Sequence, residues 1–189
     1  MLNTVLVIIS LNLGVFIAVQ ISPGLVADLG LWSPVKIFFE QPWGIVTSMF
    51  VHDGFFHLFA NMITLFFFGS FLNRLLDGSR LLLIYFGGGL LGNIFFVLLG
   101  TLLNPDLLAL AVGASGAVFA LGGALTILRP NLRVFIFPIP APIPIWIAVI
   151  GGFIILSFLP YVAWQAHLGG LLFGLAVGYF IKRRGRYYY

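Results

Sequence analysis

A serine and a histidine stand near the starts of two apolar runs, where they could act as a nucleophile and its general base. Ser115 lies between two glycines and opens an apolar run that lasts to Leu128, and His167 lies near the start of the last such run. A serine is unreactive without a neighbouring base, so the pair has chemical meaning only if the two side chains meet. Each residue also has a structural interpretation, because the hydroxyl can bond a carbonyl one turn earlier and the imidazole can link two helices.

The composition places these runs in a membrane. Of the 189 residues, 61% are hydrophobic and 7% are charged, whereas soluble domains are roughly 25% charged. The net charge of +4 could suggest a nucleic-acid partner, but the basic residues form short clusters between apolar runs, as membrane topology requires. We therefore expect a lipid bilayer as the surroundings and no nucleic acid as a partner. The chain has no cysteine, which excludes disulfides and thiol catalysis.

Six apolar segments are long enough, or nearly so, to cross a hydrocarbon core of roughly 30 Å. They predict an all-α, six-helix membrane bundle that forms a single domain over residues 1–189. The first segment lacks a basic start and a small-residue cleavage site, so we interpret it as a retained span. The predicted spans are residues 4–21, 55–72, 81–103, 115–128, 143–159 and 163–181.

The basic residues predict the orientation of the spans. Every Lys and Arg except Lys36 falls in alternate loops or after the last span. By the positive-inside rule, both termini and those loops are expected in the cytoplasm, with the chain in the cell membrane. A cavity at the other ends of the helices would then open to the extracytoplasmic side.

Three connecting segments have unusual compositions. Residues 22–50 mix Trp and Phe with isolated charges, which predicts an interfacial loop between the first two spans, with a scaffold role as the alternative. The fourth span is short, so residues 104–113 should enter the protein as non-helical backbone beside a wet cavity. Prolines at every second position of 138–144 predict an extended lead into the fifth span, which we expect to be the most loosely held helix. Asp53 is expected to cap the second span.

Helix lengths predict that the two candidate residues lie at the same depth. From Ser115 to Arg129 is about 21 Å of helix, and from His167 to Lys182 is about 22 Å, at roughly 1.5 Å per residue. Because both basic residues mark the cytoplasmic boundary, the serine and the histidine are expected about 9 Å below the outer boundary.

Small residues repeat at every fourth position beside each candidate residue, and such rows let two helix backbones approach closely. That packing is common and implies no chemistry by itself. Here it would bring His167 within hydrogen-bond reach of Ser115, as activation of a serine requires. The two rows are Gly170, Gly174 and Gly178 beside the histidine, and Gly116, Ala120 and Ala124 beside the serine.

A third group of polar residues falls on the second predicted span. His57 and Asn61 are four residues apart and share one face of the helix. Counted back from Arg74, they stand about 26 Å and 20 Å above the cytoplasmic boundary, on either side of the depth of Ser115. Both side chains could donate hydrogen bonds to an oxyanion, together with the backbone N–H of Ser115 at its helix N-terminus. His52 is expected to shape the cavity.

The remaining ionisable residues exclude several other functions. All five acids read as loop or helix-end residues, so no carboxylate completes a triad, and a Ser-His dyad is what remains. A metal site would need further ligands, and an ion-coupled transporter would normally carry charges within its spans. An aspartyl intramembrane protease would need two Asp residues within spans, and a zinc one would need a His-Glu-x-x-His motif; the sequence has neither. The acids are Asp28, Glu40, Asp53, Asp77 and Asp106.

Taken together, these motifs resemble the rhomboid family of intramembrane serine proteases in its minimal, prokaryotic six-span form. The resemblance covers nearly the whole chain. It implies that Ser115 is the nucleophile and His167 the general base, with an oxyanion hole formed by His57, Asn61 and the Ser115 N–H, and with no cofactor. Its motifs are Gly113-Ala114-Ser115-Gly116, His167-Leu168-Gly169-Gly170 with Gly174, and His52, His57 and Asn61 in that order.

The resemblance also implies that residues 22–50 form the family's interfacial hairpin, that the fifth span is its substrate gate and that the partners are transmembrane protein substrates. Two positions depart from the common pattern. Trp43-Gly44 stands where many members have Trp-Arg, and Phe119 where the best-known members have a tyrosine that stacks on the histidine. A phenyl ring can still pack flat on the imidazole. The alternative function is a rhomboid-like protein that retains or escorts membrane proteins without cutting them.

Overall fold

The chain folds into a bundle of helices joined by short irregular segments, and two small antiparallel ladders fasten its loops. The computed structural model describes residues 4–136 and 139–185. Pro138 and Arg186, which entered the sequence interpretation, lie outside the described residues. In chain order the elements are α1 (Thr4–Ile21), α2 (Leu25–Leu29), β1 (Leu31–Ser33), α3 (Val35–Phe38), α4 (Gly44–Thr47), a 3-10 turn (Ser48–Phe50), α5 (Phe55–Leu75), α6 (Gly78–Leu103), β2 (Ala109–Ala111), α7 (Ser115–Leu128), β3 (Arg133–Val134), β4 (Ile143–Pro144), α8 (Ile145–Ser157) and α9 (Trp164–Arg183).

The predicted all-α membrane architecture is confirmed. Among the described residues, α1, α5, α6 and α9 are long and apolar enough to cross a membrane, whereas α7 and α8 are apolar but shorter. Helices α1 and α7 begin and end at the predicted residues. Helix α8 is shorter than the predicted fifth span, because Ile143 and Pro144 pair as a strand before it starts.

Helix α7 is the centre of the bundle. It contacts α5, α6, α8 and α9, and 11 of its 14 residues are buried. Helices in a bilayer associate through close packing rather than through a hydrophobic driving force, which is why this helix is rich in small residues. The residues at the N-terminal end of α7 are therefore held in place by four neighbouring helices.

The predicted small-residue rows of α7 and α9 face each other in register. A Cβ added at Gly170 would meet the carbonyl oxygen of Gly116, and one added at Gly174 would meet that of Ala120. At Gly178 an added Cβ would lie 3.0 Å from the Cα of Ala124. The two backbones are in contact along this line, so no larger side chain fits there without separating the helices.

The segment between α1 and α5 folds against the loop that precedes α7. Strand β1 pairs antiparallel with β2, with Leu31 opposite Ala111 and Ser33 opposite Ala109. Inside the segment, Trp43 Nε1 donates a hydrogen bond to the carbonyl of Asp28 at 2.8 Å. Residues 104–113 are non-helical as predicted, but their pairing with β1 was not predicted. The location of residues 22–50 in the membrane interface stays a prediction.

Gly44 lies where the backbone of this segment crosses itself. A Cβ at this position would meet the carbonyl oxygen of Gly30. The arginine that many rhomboid proteins carry at the position would not fit here without moving that crossing.

The expected capping of the second span by Asp53 is wrong. Helix α5 starts at Phe55 with Gly54 as its N-cap residue, and no side chain caps it. Asp53 precedes the cap position by one residue, and its carboxylate accepts a hydrogen bond from His57 instead. Asp77, by contrast, does cap α6, because its Oδ1 accepts a bond from the N–H of Arg80 at 2.9 Å.

Helix α8 is held at one end. Its buried residues are Ile145, Ala148 and Val149, and none is buried from Ile150 to Ser157. The lead into it is extended where it is described, with Ile143 opposite Val134 and Pro144 opposite Arg133. Helix α1 is comparably exposed, with four of 18 residues buried, so the greater mobility of α8 stays a prediction.

Candidate active site

Ser115 and His167 meet at the N-terminal ends of two contacting helices. Ser115 is the first residue of α7, and His167 lies in the first turn of α9. Their Oγ and Nε2 atoms are 2.7 Å apart. Next to this pair, the backbones of Gly116 and Gly170 are in contact. Because the two helices are so close at this point, the side chains of Ser115 and His167 come within hydrogen-bond reach.

The imidazole of His167 is enclosed by apolar groups. Its side chain is buried, and the Phe119 ring lies 4.7 Å from it between centroids, at an interplanar angle of 36°. The predicted packing of the two rings is thus present but tilted rather than flat. Among the described residues, Nδ1 of His167 has no hydrogen-bond partner. No carboxylate of the described chain therefore reaches the histidine, and the arrangement is a pair rather than a triad.

A cavity of about 700 Å³ opens beside the pair. It lies between α5, α7, α8 and α9, and the loop that leads into α9 forms part of its wall. Helix α8 contributes Ala148, Val149, Gly152 and Leu156 to the lining. The polar residues of the lining are Asp53, His57, Asn61, Thr64, Ser115, Tyr161 and His167.

His57 and Asn61 face the turn that precedes Ser115. Gly113 has φ of +118°, and a Cβ added to it would lie 2.6 Å from Nε2 of His57 and 3.9 Å from Nδ2 of Asn61. Glycine is required at this position both for the backbone angle and for the space. The structure thus brings both candidate oxyanion donors to the N-terminus of α7, where the Ser115 N–H has no partner within the helix.

Asn61 makes one bond within its own helix, and His57 makes one with the loop that precedes this helix. Asn61 Nδ2 donates to the carbonyl of His57 at 3.0 Å, and His57 Nδ1 donates to Oδ1 of Asp53 at 2.6 Å. An amide carries two N–H groups, so the second one of Asn61 is available to a group in the cavity. Asp53 was missed by sequence reasoning, although its position four residues before His57 was a usable signal.

His52 supports His57 from behind. It is fully buried, and its ring meets that of His57 at 5.0 Å between centroids and 67° between planes. Burial, with a smaller effect of His57, lowers the pKa of His52 to about 4, against weaker opposing effects of the Phe50 carbonyl and Asp53. His52 is therefore a neutral packing residue behind His57, and it does not line the cavity itself.

A polar brace behind the serine was also missed. Asn93 of α6 donates to the Ser48 hydroxyl at 2.9 Å and to the Ile45 carbonyl at 2.8 Å, and the N–H of Gly113 donates to the Ser48 carbonyl at 2.9 Å. These bonds fix the turn before α7 to the 3-10 turn. An asparagine within an apolar run was the only sequence signal for it.

Comparison with known proteins finds similarity to one family. The family model described as the Rhomboid domain matches residues 40–184. Rhomboid protein 1, mitochondrial, of Saccharomyces cerevisiae is 29% identical over 185 residues, which cover 84% of this chain and 51% of that protein. The putative rhomboid protease YdcA of Bacillus subtilis is 42% identical over 81 residues, covering 43% of this chain and 38% of that protein.

One similar protein is described as inactive. Inactive RHOMBOID-like protein 8 of Arabidopsis thaliana is 32% identical over 135 residues, which cover 70% of this chain and 36% of that protein. This chain thus spans about half the length, or less, of the curated relatives that it matches.

Proposed function

This chain belongs to the rhomboid family, and from that premise we propose that it is a serine endopeptidase that cleaves transmembrane segments of membrane proteins. Ser115 is the nucleophile and His167 is its general base. The observation that carries the proposal is the 2.7 Å contact between Ser115 Oγ and His167 Nε2 at the wall of a large cavity. A hydroxyl so placed can transfer its proton to the imidazole as it attacks a carbonyl carbon, and the imidazole can return that proton to the leaving amine.

The negative charge that forms on the attacked carbonyl oxygen would be stabilised by three donors. They are the Ser115 N–H, the free N–H of the Asn61 amide and the His57 ring. Their support is the position of both side chains on the cavity wall beside Gly113. Donors held rigidly before the reaction are worth more than water, because they need no reorganisation as the charge develops.

Reaction with a fluorophosphonate probe tests the assignment of the nucleophile. The purified protein in detergent should be labelled, and Ser115→Ala and His167→Ala should both abolish labelling and cleavage of a transmembrane substrate. The double variant should be no more impaired than either single variant, because the two residues act as a unit. Labelling that survives in Ser115→Ala, or substantial cleavage by His167→Ala, would contradict the dyad.

The alternative is a rhomboid protein that binds membrane proteins without cutting them. Its support is the similarity to a relative described as inactive. The same experiment separates the two functions: a binding protein would retain membrane proteins in the Ser115→Ala variant as well as in the unchanged protein, and neither would react with the probe.

We also propose that the cavity opens to the extracytoplasmic side, with both termini in the cytoplasm. The support is the distribution of Lys and Arg, which favours one side of the membrane. Since the chain has no cysteine, single-cysteine variants report the topology directly. A membrane-impermeant maleimide should label Phe39→Cys in intact cells and Asn131→Cys only after lysis. The reverse pattern would invert the proposed orientation.

A further inference from the structure

One carboxylate borders the cavity, and it is bonded to a candidate oxyanion donor rather than to the candidate base. Asp53 Oδ1 lies 2.6 Å from Nδ1 of His57. Asp53 is 65% exposed and His57 is 31% exposed, and both line the cavity. The contact joins residues four positions apart across the start of α5, so it persists without any tertiary partner.

This bond decides which atom His57 presents to the reaction. A carboxylate only accepts hydrogen bonds, so the proton between the two groups is carried by Nδ1. Nε2 then faces Gly113 and the cavity. In the neutral ring that atom carries a lone pair and repels an oxyanion, whereas in the charged ring it carries a hydrogen and donates. His57 can therefore serve as a donor in this geometry only when its ring is positively charged.

The geometry points to Asp53 as a positioning residue of the oxyanion hole: its carboxylate orients His57 and favours the charged ring whose Nε2–H donates to the developing oxyanion. This inference rests on the proposed function, because it needs an oxyanion in the cavity. A neighbouring carboxylate favours the charged form of an imidazole, and a hydrogen bond from a charged donor to an anion is roughly twice as strong as one between neutral groups.

The two imidazoles of the cavity would then work in opposite charge states. His167 must be neutral to accept the serine proton, and no carboxylate of the described chain reaches its Nδ1. His57 must be charged, and it has Asp53. The titratable groups that face His57 are Asp53 from the loop before α5, His52 behind it and His167 across the cavity. Of these three, only Asp53 carries a charge that favours a positive ring.

Replacement of Asp53 by asparagine separates orientation from charge, because the amide oxygen can still accept the Nδ1–H bond. Asp53→Asn should lower kcat by at least about tenfold and leave KM nearly unchanged. The loss should be smaller than the roughly 10²–10³-fold loss that is typical when a donor is removed outright. Asp106→Asn removes an equal charge from an exposed loop outside the cavity and should leave kcat and KM unchanged.

A double-mutant cycle tests that Asp53 acts through His57. In a His57→Ala background, Asp53→Asn should have no further effect on kcat, because the two changes remove the same interaction. An unchanged kcat in Asp53→Asn would overturn the inference, and so would an equal loss with and without His57. Fluorophosphonate labelling of the unchanged protein keeps the two proposals apart: if Ser115 is labelled and Asp53→Asn has no effect, only the role of Asp53 fails, whereas absence of labelling refutes the proposed function.

Discussion

At the scale of single residues, Asn61 gives the cleanest test of the oxyanion hole, because one of its two N–H groups is already used within α5. Asn61→Ala should lower kcat by up to about 10²–10³-fold and leave KM nearly unchanged, since its second N–H gains importance only as charge develops. Redundancy with His57 and the Ser115 N–H would reduce the loss. Thr64→Ala, one turn further along the same wall, is the matched control, because its hydroxyl bonds the Ala60 carbonyl. Normal kcat with a strongly raised KM in Asn61→Ala would contradict a role as donor.

His52 makes the stability of the fold depend on pH. Burial lowers its pKa from the ordinary histidine value of 6.5 to about 4 in the folded protein. Between these two values the unfolded chain binds a proton that the folded protein does not bind, so the free energy of unfolding falls as the pH falls through this range and is constant above it. The melting temperature in detergent should therefore decrease from about pH 6.5 to 4. His52→Leu should flatten this dependence, and an equally steep one in that variant would show that another group causes it.

Acidification should also abolish the proposed activity, because a protonated His167 cannot accept the serine proton. Activity should therefore fall as the pH is lowered. Measuring activity and melting temperature on one series of buffers separates loss of the base from loss of the fold. A rate that stays constant at every pH at which the protein remains folded would argue against His167 as the base.

At the scale of elements, the contact between α7 and α9 sets the distance between serine and histidine. An added methyl group at Gly174 would meet the backbone of Ala120, so Gly174→Ala should push the helices apart, destabilise the protein by about 1–3 kcal/mol and abolish probe labelling. Gly151→Ala in α8 is the matched control, because nothing lies within 4 Å of a Cβ added there. Wild-type labelling and melting temperature in Gly174→Ala would show that backbone contact does not position the pair.

Much of the helical framework could be predicted because its signals are local. Apolar length and the following basic residue determined the bounds of α7, and the four-residue spacing of small residues predicted its contact with α9. The pairing of β1 with β2 could not be predicted, since three-residue strands far apart in the chain carry no register signal of their own. The predicted fifth span is longer than the 13-residue α8, because an apolar strand and an apolar helix turn look alike in sequence.

The candidate site likewise has residues that the sequence predicts and contacts that it does not. Helix length alone placed Ser115 and His167 at one depth, and their side chains are in contact. Asp53 was misread because Asp-Gly before an apolar run is an ordinary capping pattern, whereas the helix starts one residue too late for that cap. The brace between Asn93 and Ser48 depends on two distant segments meeting, which no local pattern encodes.

At the scale of the whole molecule, the proposed function and the depth of the cavity predict which substrates are cut. A substrate helix in the bilayer has its carbonyls bonded internally, so it must unwind near its outer end before one of them can reach Ser115. Each glycine lowers helix stability by about 1 kcal/mol relative to alanine. We therefore predict preference for spans with Gly, Ser or Pro in the outer third, with a small side chain at the cut and products released outward. Leucine replacements of those residues in a model substrate should slow cleavage in lipid. An unchanged rate, or a cut in the cytoplasmic half, would contradict the proposed depth.

The pairing of α7 with α9 also has a consequence for the order in which the protein is made. Ser115 leaves the ribosome 52 residues ahead of His167, an interval of some seconds at about 5–20 residues per second. Throughout it, the small-residue face of α7 is uncovered and the hydroxyl has no base. The unfinished chain can therefore sit among other nascent membrane proteins without attacking them. If the proposed mechanism holds, the order of the helices by itself delays assembly of the reactive pair until α9 has been made.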